Sequence, residues 1–292
     1  MAEQDVKARD GRNLRVREAG AEDGMAVFVH HGTPMAGLLW KPWTEDAKRR
    51  GLRLISHDRP GYGGSDPQGK RSVGDVVPDV HDIADHLGIE RYATWGISGG
   101  GPHTLACAAL SGGRCVAAAA LASVAPYPAE GLDYFADMGE DNVREIGLAI
   151  NGDIDELTRL TERDAKEMLA AAPGDIIEGL ESLLSEPDRA VLTDDFARFM
   201  WECGQVALRS SIAGWLEDDM AFVSDWGFDL RDIRTPVLVY QGRQDLMVPF
   251  GHGQWIAARI PSAEARLHED EGHLTLLVNR VSDTHAWLAS LF

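Results

Sequence analysis

Cysteine is scarce in this chain: Cys107, Cys115 and Cys203 are the only three in 292 residues. Three cannot all pair, and their spacing matches no metal-ligand pattern, so a disulfide scaffold and a zinc site are both excluded and a reducing compartment is expected. The stretch Met1 to Asp10 mixes acidic and basic side chains with no apolar run. Neither a signal peptide nor a membrane helix is expected there, and residence is expected to be cytoplasmic. Positive charge is also short, with 28 Lys and Arg against 47 Asp and Glu for a net of −19, and no basic patch suited to nucleic acid is present. Repeats and low-complexity linkers are missing as well. A chain of this length can bury one large core, so a single α/β domain carrying an insertion is expected rather than two independent domains.

What is present is a regular alternation of elements. Val6 to Arg17 alternates around Asp10-Gly11 and reads as an antiparallel hairpin. Strand candidates near Val27, Leu54, Ala93 and Val116 follow, separated by helical stretches such as Val76, Val80, Ile83, Ala84 and Leu87, with Gly88 as a left-handed stop. From Pro126 to Trp226 no convincing strand occurs, only helical stretches such as Ile154 to Ala172 and Thr193 to Met220. Strands resume at Pro236 to Tyr240 and Ala263 to Leu267, and an apolar helix starts at Leu274.

Chemistry concentrates at strand ends. Gly96-Ile97-Ser98-Gly99-Gly100 reads G-x-S-x-G between the strand candidate Tyr92 to Trp95 and a small-residue helix from His103 to Leu110. A serine on such a strand-to-helix turn is a candidate nucleophile, and glycines at 96 and 100 let backbone pass close to it. A phosphate loop of the G-x-x-x-x-G-K-[ST] kind would need a lysine here, and there is none. A serine hydroxyl is a weak nucleophile at neutral pH, so it needs a histidine base oriented by a carboxylate. Asp245 lies in the turn after the strand ending at Tyr240, and His273 follows Asp270-Glu271-Gly272 after the last strand. Two donors must also meet the developing oxyanion. The candidates are the backbone N–H groups of Gly99 and of Thr33, the latter in His30-His31-Gly32-Thr33-Pro34. The glycine-rich turn Asp58-Arg59-Pro60-Gly61-Tyr62-Gly63-Gly64-Ser65 is expected to brace the loops around the site.

Together these segments resemble the α/β-hydrolase superfamily: H-G-x-P, D-R-x-G-x-G-x-S, G-x-S-x-G, G-x-x-D-x-x-V-P and G-H, in order over nearly the whole chain. The resemblance implies an eight-stranded, mostly parallel sheet flanked by helices, a Ser98, Asp245, His273 triad, and an inserted cap between the sixth and seventh strands. The expected division is a core of residues 1–125 and 227–292 and a helical cap of residues 126–226. Two features depart from proline iminopeptidases: Thr33 stands where their loop has a second glycine, and Trp95 precedes the elbow where they carry tryptophan after the serine. Ser98 itself excludes the aspartate nucleophile of haloalkane dehalogenases and epoxide hydrolases.

The expected activity is hydrolysis of a small to medium acyl substrate, a carboxylic ester first, with no metal or organic cofactor. Aminopeptidase, lactonase, carbon-carbon hydrolase, acyl transferase and cofactor-free perhydrolase chemistries use the same triad, and a ligand-binding protein on a hydrolase scaffold is the reading outside enzymes. Residues 126–226 hold 24 acidic and 7 basic side chains, which leaves the rest of the chain nearly neutral. Such a field solvates a lid, or favours neutral and cationic substrates over anionic ones. Phe196, Phe199 and Met200 recur at helical spacing and are expected to pack rather than to touch substrate, while Trp40 and Trp43 fit either core or pocket wall.

Overall fold

A computed structural model describes residues 1–175 and 179–292. Eight strands form one sheet in the order β1-β2-β4-β3-β5-β6-β7-β8. Strands β1 (Ala2–Lys7) and β2 (Asn13–Gly20) make the hairpin around Asp10-Gly11, and β2 runs antiparallel to β4 (Leu52–His57). All remaining pairings, through β3 (Met25–His30), β5 (Tyr92–Ile97), β6 (Cys115–Leu121), β7 (Val237–Gly242) and β8 (Ala263–His268), are parallel.

The interior parallel strands are buried on both faces because helices cover both, whereas the edge strand β8 is largely exposed. On β3, Ala26 and Phe28 join one buried cluster while Val27 and Val29 join the other. The first cluster includes side chains of α2 (Val76–His86), α3 (Gly100–Leu110) and α9 (Phe250–Ala257), and the second those of α1 (Lys41–Arg49), α10 (Leu274–Asn279) and α11 (Val281–Ala289). Each large apolar side chain buried this way contributes about 1.5–3 kcal/mol. α2 ends at Gly88, whose φ of +68° is the left-handed stop expected there.

Between β6 and β7 the described residues contain helices and no strand: α4 (Glu140–Asn151), α5 (Ile154–Ala170), α6 (Glu186–Val191), α7 (Asp194–Leu208) and α8 (Ala213–Phe222). The single helix expected over Thr193 to Met220 is two. Ser210 and Ser211 interrupt it, and the Ser211 hydroxyl accepts from the Ala213 N–H, so a side chain competes there with the helical backbone acceptor. Phe196, Phe199 and Met200 are buried. Phe199 stands edge-on to Trp43, and the Trp40 ring lies 5.0 Å from Phe196, so this seam joins α7 to the start of α1. Among the described residues no helix is long and apolar enough to cross a membrane.

Candidate active site

Only Ser98 and Gly99 separate β5 from α3, so the chain reverses within two residues. Ser98 takes φ +55°, a left-handed conformation that costs a side-chain-bearing residue roughly 1–2 kcal/mol. Two backbone hydrogen bonds hold it there: its N–H donates to Leu121 at 2.9 Å, and its carbonyl accepts from Gly101 at 2.8 Å. A Cβ on Gly96 would run into the Gly100 carbonyl and Thr104 Oγ1, and one on Gly100 would strike the His30 carbonyl. The elbow therefore tolerates nothing larger at either position.

Asp245 follows β7. Its Oδ1 accepts from the Met247 and Val248 N–H groups at 2.9 and 2.8 Å, which sets the carboxylate's orientation. Oδ2 accepts from Gln241 at 3.0 Å and from His273 Nδ1 at 2.8 Å. Because Nδ1 must carry the proton in that bond, Nε2 is the basic nitrogen of the neutral ring. Burial disfavours the His273 imidazolium, but the charge and hydrogen bond of Asp245, with the charge of Asp188, outweigh it and raise the ring above the ordinary histidine value. The structure thus brings His273 and Asp245 together, while no hydrogen bond joins Ser98 Oγ to the ring. Such contacts commonly tighten only when substrate binds.

Thr33 follows β3 and leans on the elbow: a Cβ on Gly99 would meet Thr33 Oγ1 and the tip of the Phe222 ring. Among the described residues neither the Thr33 nor the Gly99 N–H is engaged in a hydrogen bond. The carboxyl ends of β3, β5, β7 and β8 thus carry the four loops from which the expected site residues come, as open parallel sheets generally arrange.

Several buried groups here escaped the sequence reading. Asp218 on α8 accepts from Arg59 Nη2 and Arg71 Nη2, both at 2.5 Å, from Thr33 Oγ1 at 2.5 Å and from Tyr62 OH at 2.9 Å. Burial would raise its pKa, but the Arg59 and Arg71 charges hold the carboxyl well below its usual range. Arg59 also donates to the His31 carbonyl at 2.5 Å, and Asp58 accepts from Arg17, Gly37 and Gly64, so the turn does brace the Thr33 loop. His103 Nδ1 donates to the Gly99 carbonyl at 2.8 Å, and burial followed by the Arg59 charge keeps this histidine neutral. Asp219, next to Asp218, instead lies beside Glu145, which accepts from Trp215 Nε1 at 2.6 Å. Burial pushes both carboxyls upward, and the Glu145 charge pushes Asp219 further, to well above the usual carboxylate range. The only sequence signal for these groups was the arginine inside a glycine-rich turn. Among the described residues no cluster of three or more His, Cys, Asp and Glu is arranged to hold a metal ion.

A family model described as the alpha/beta hydrolase fold matches residues 26–148. Among curated proteins, the chain is 26% identical to a non-heme chloroperoxidase of Streptomyces lividans over 91% of both chains. It is 24% identical to a proline iminopeptidase of Xanthomonas citri over 92% of this chain and 89% of that one. Among solved structures, a thermophilic esterase from Thermogutta terrifontis superposes with a TM-score of 0.72 at 20% identity, covering 100% of this chain and 99% of that one. The elbow, the sheet order and these likenesses agree, and the chain has the α/β-hydrolase fold.

Proposed function

We propose that the protein is a serine hydrolase that cleaves a small to medium carboxylic ester through an acyl-enzyme on Ser98. The observation that carries this reading is the buried His273–Asp245 pair, 2.8 Å apart, at the same carboxyl edge of the sheet as a serine in a left-handed elbow. Ser98 Oγ attacks the ester carbonyl while His273 Nε2 takes its proton, and Asp245 holds the tautomer and stabilises the imidazolium. The Thr33 and Gly99 N–H groups receive the oxyanion. The imidazolium then returns its proton to the leaving alkoxide. Water, deprotonated by the same nitrogen, hydrolyses the acyl group and frees Ser98. Residues 126–226 form the cap, in which Phe222 overhangs the elbow and limits the acyl group.

Turnover of activated ester by Ser98→Ala, His273→Ala and the double variant tests the reading. Residues that act as one machine are strongly non-additive, so all three should lose nearly the same activity while remaining folded. Losses that multiply in the double variant count against the assignment. A second reading, an aminopeptidase of the iminopeptidase type, draws support from Asp219, whose Oδ2 is buried without a hydrogen-bond partner on the cap and could meet a substrate ammonium group. It requires cleavage of an amide that depends on a free amino terminus.

A further inference from the structure

We infer that Asp188, on α6, is a positioning residue for His273, holding the backbone of the histidine loop from the helical segment between β6 and β7. This rests on the reading of His273 as the base. The Asp188 side chain is fully buried. Its Oδ2 accepts from the His273 N–H at 3.0 Å, and its Oδ1 accepts from Leu274 and Thr275 at 2.7 and 3.1 Å. The Ser185 hydroxyl supplies one more donor at 2.8 Å. These four donors occupy about all the lone-pair sites a carboxylate has. The fit is tight as well as saturated, because a Cβ on Gly272 would collide with Asp188 Oδ2 and Ser185 Oγ.

A backbone clamp alone could be built from a neutral serine or asparagine, both of which accept such bonds. A carboxylate adds charge, and among the described residues no lysine or arginine pairs with it. Its charge is therefore directed at the histidine loop. The charged groups facing His273 are Asp245 from the turn after β7 and Asp188 from α6. Glu271, in the same loop, is paired with Arg280 of α11 at 2.6 Å. Asp188 thus fixes where the ring stands and favours the imidazolium that forms when Ser98 gives up its proton. It touches no reacting atom.

The test is Asp188→Asn in the full chain, read two ways. Nuclear magnetic resonance titration of the His273 ring needs no substrate, and the midpoint should fall by about one pH unit, the lower end of what a nearby opposite charge produces. The acid limb of kcat/KM for a neutral ester should move with it, and kcat per phosphonate-titrated site should drop by about 10- to 100-fold with KM little changed, as expected when a base is misplaced by an ångström or less. Asp188→Glu, which keeps the charge, should recover part of the midpoint. A merely structural role would lower the titratable fraction of sites and leave the midpoint alone. Asp188→Asn with wild-type midpoint and wild-type kcat per site overturns the proposal. If that variant does not fold, Gly272→Ala displaces the carboxylate without removing a charge, and wild-type values there overturn the proposal equally. Full ester turnover by His273→Ala would instead sink the parent reading, while the ring titration still reports on Asp188.

Discussion

His273 sits between a low-polarity environment that resists its charged form and a carboxylate at 2.8 Å that demands it, and the carboxylate prevails. The free base attacks and the cation does not, so activity is lost as pH falls through the raised value. The acid limb of kcat/KM should accordingly lie above the ordinary histidine value of about 6.5. Asp245→Asn should move that limb down and lower kcat by up to about 10⁴-fold. A limb at or below the ordinary value, measured with a neutral ester from pH 5 to 9, would separate His273 from the rate-limiting proton transfer. The same shift adds stability that is complete below the unfolded pKa and disappears as pH rises through the folded one. The proposed Ser98, Asp245 and His273 stand out in the sequence because each lies within three residues of a glycine past a strand end, a local signature of a forced turn. Asp188 had no such signature. It is one of 24 acidic residues in its segment, and only its contact with a loop 85 residues away distinguishes it.

At the scale of the element, α8 presents two adjacent aspartates in opposite states. Asp218 faces Arg59 and Arg71 and is held ionised, whereas Asp219 faces Glu145 and is held protonated. Asp218→Asn should therefore destabilise the fold by about 3–5 kcal/mol, since it strands two buried guanidinium groups. Asp219→Asn should do the reverse at neutral pH, by roughly 1–3 kcal/mol, because it removes a buried, unpartnered oxygen and the cost of holding a carboxyl protonated above its unfolded pKa. The signs separate with pH. A depressed carboxyl contributes stability above its unfolded pKa and loses it as pH falls, while a raised carboxyl costs stability above its unfolded pKa and costs nothing below it. Urea midpoints at pH 7 and pH 4 check both, and an Asp219→Asn gain that persists unchanged at pH 4 would contradict the shared proton. Neither state was legible in Glu217-Asp218-Asp219, where consecutive acids on a helix read only as a solvated face. Helix periodicity likewise overran Ser210-Ser211, since both serines suit a helix poorly but do not forbid it.

Across the whole molecule the acidity is uneven, and burial redistributes it further. Asp153, Asp155, Glu162 and Glu167 are exposed, while Asp218 is offset by arginines from residues 1–125 and Asp219 with Glu145 retains a proton. The negative charge of the helices between β6 and β7 is thus smaller than a count of carboxylates implies. An ester with a carboxylate on its leaving group should have a lower kcat/KM than its neutral isostere at low ionic strength. Salt should narrow that gap as the Debye length shrinks from roughly 30 Å at 0.01 M to about 8 Å at 0.15 M. Equal turnover of the two at low salt would reduce the acidic cap to a solvating surface. The sheet was readable as alternating apolar runs and turn residues, because its interior parallel strands are buried on both faces and bounded by glycine or proline. The cap's seating was not, because it depends on ion pairs between segments more than a hundred residues apart.

Asp188 and Asp218 tie the helices between β6 and β7 to the rest of the chain at two points, one the histidine loop and the other the Thr33 loop. Helices fastened at two such points do not swing away as a plate hinged at one edge would. The ties also divide what an evolving lineage is free to edit. Exchanges along α5 leave both ties intact, whereas a change at either reaches the histidine loop or the Thr33 loop directly.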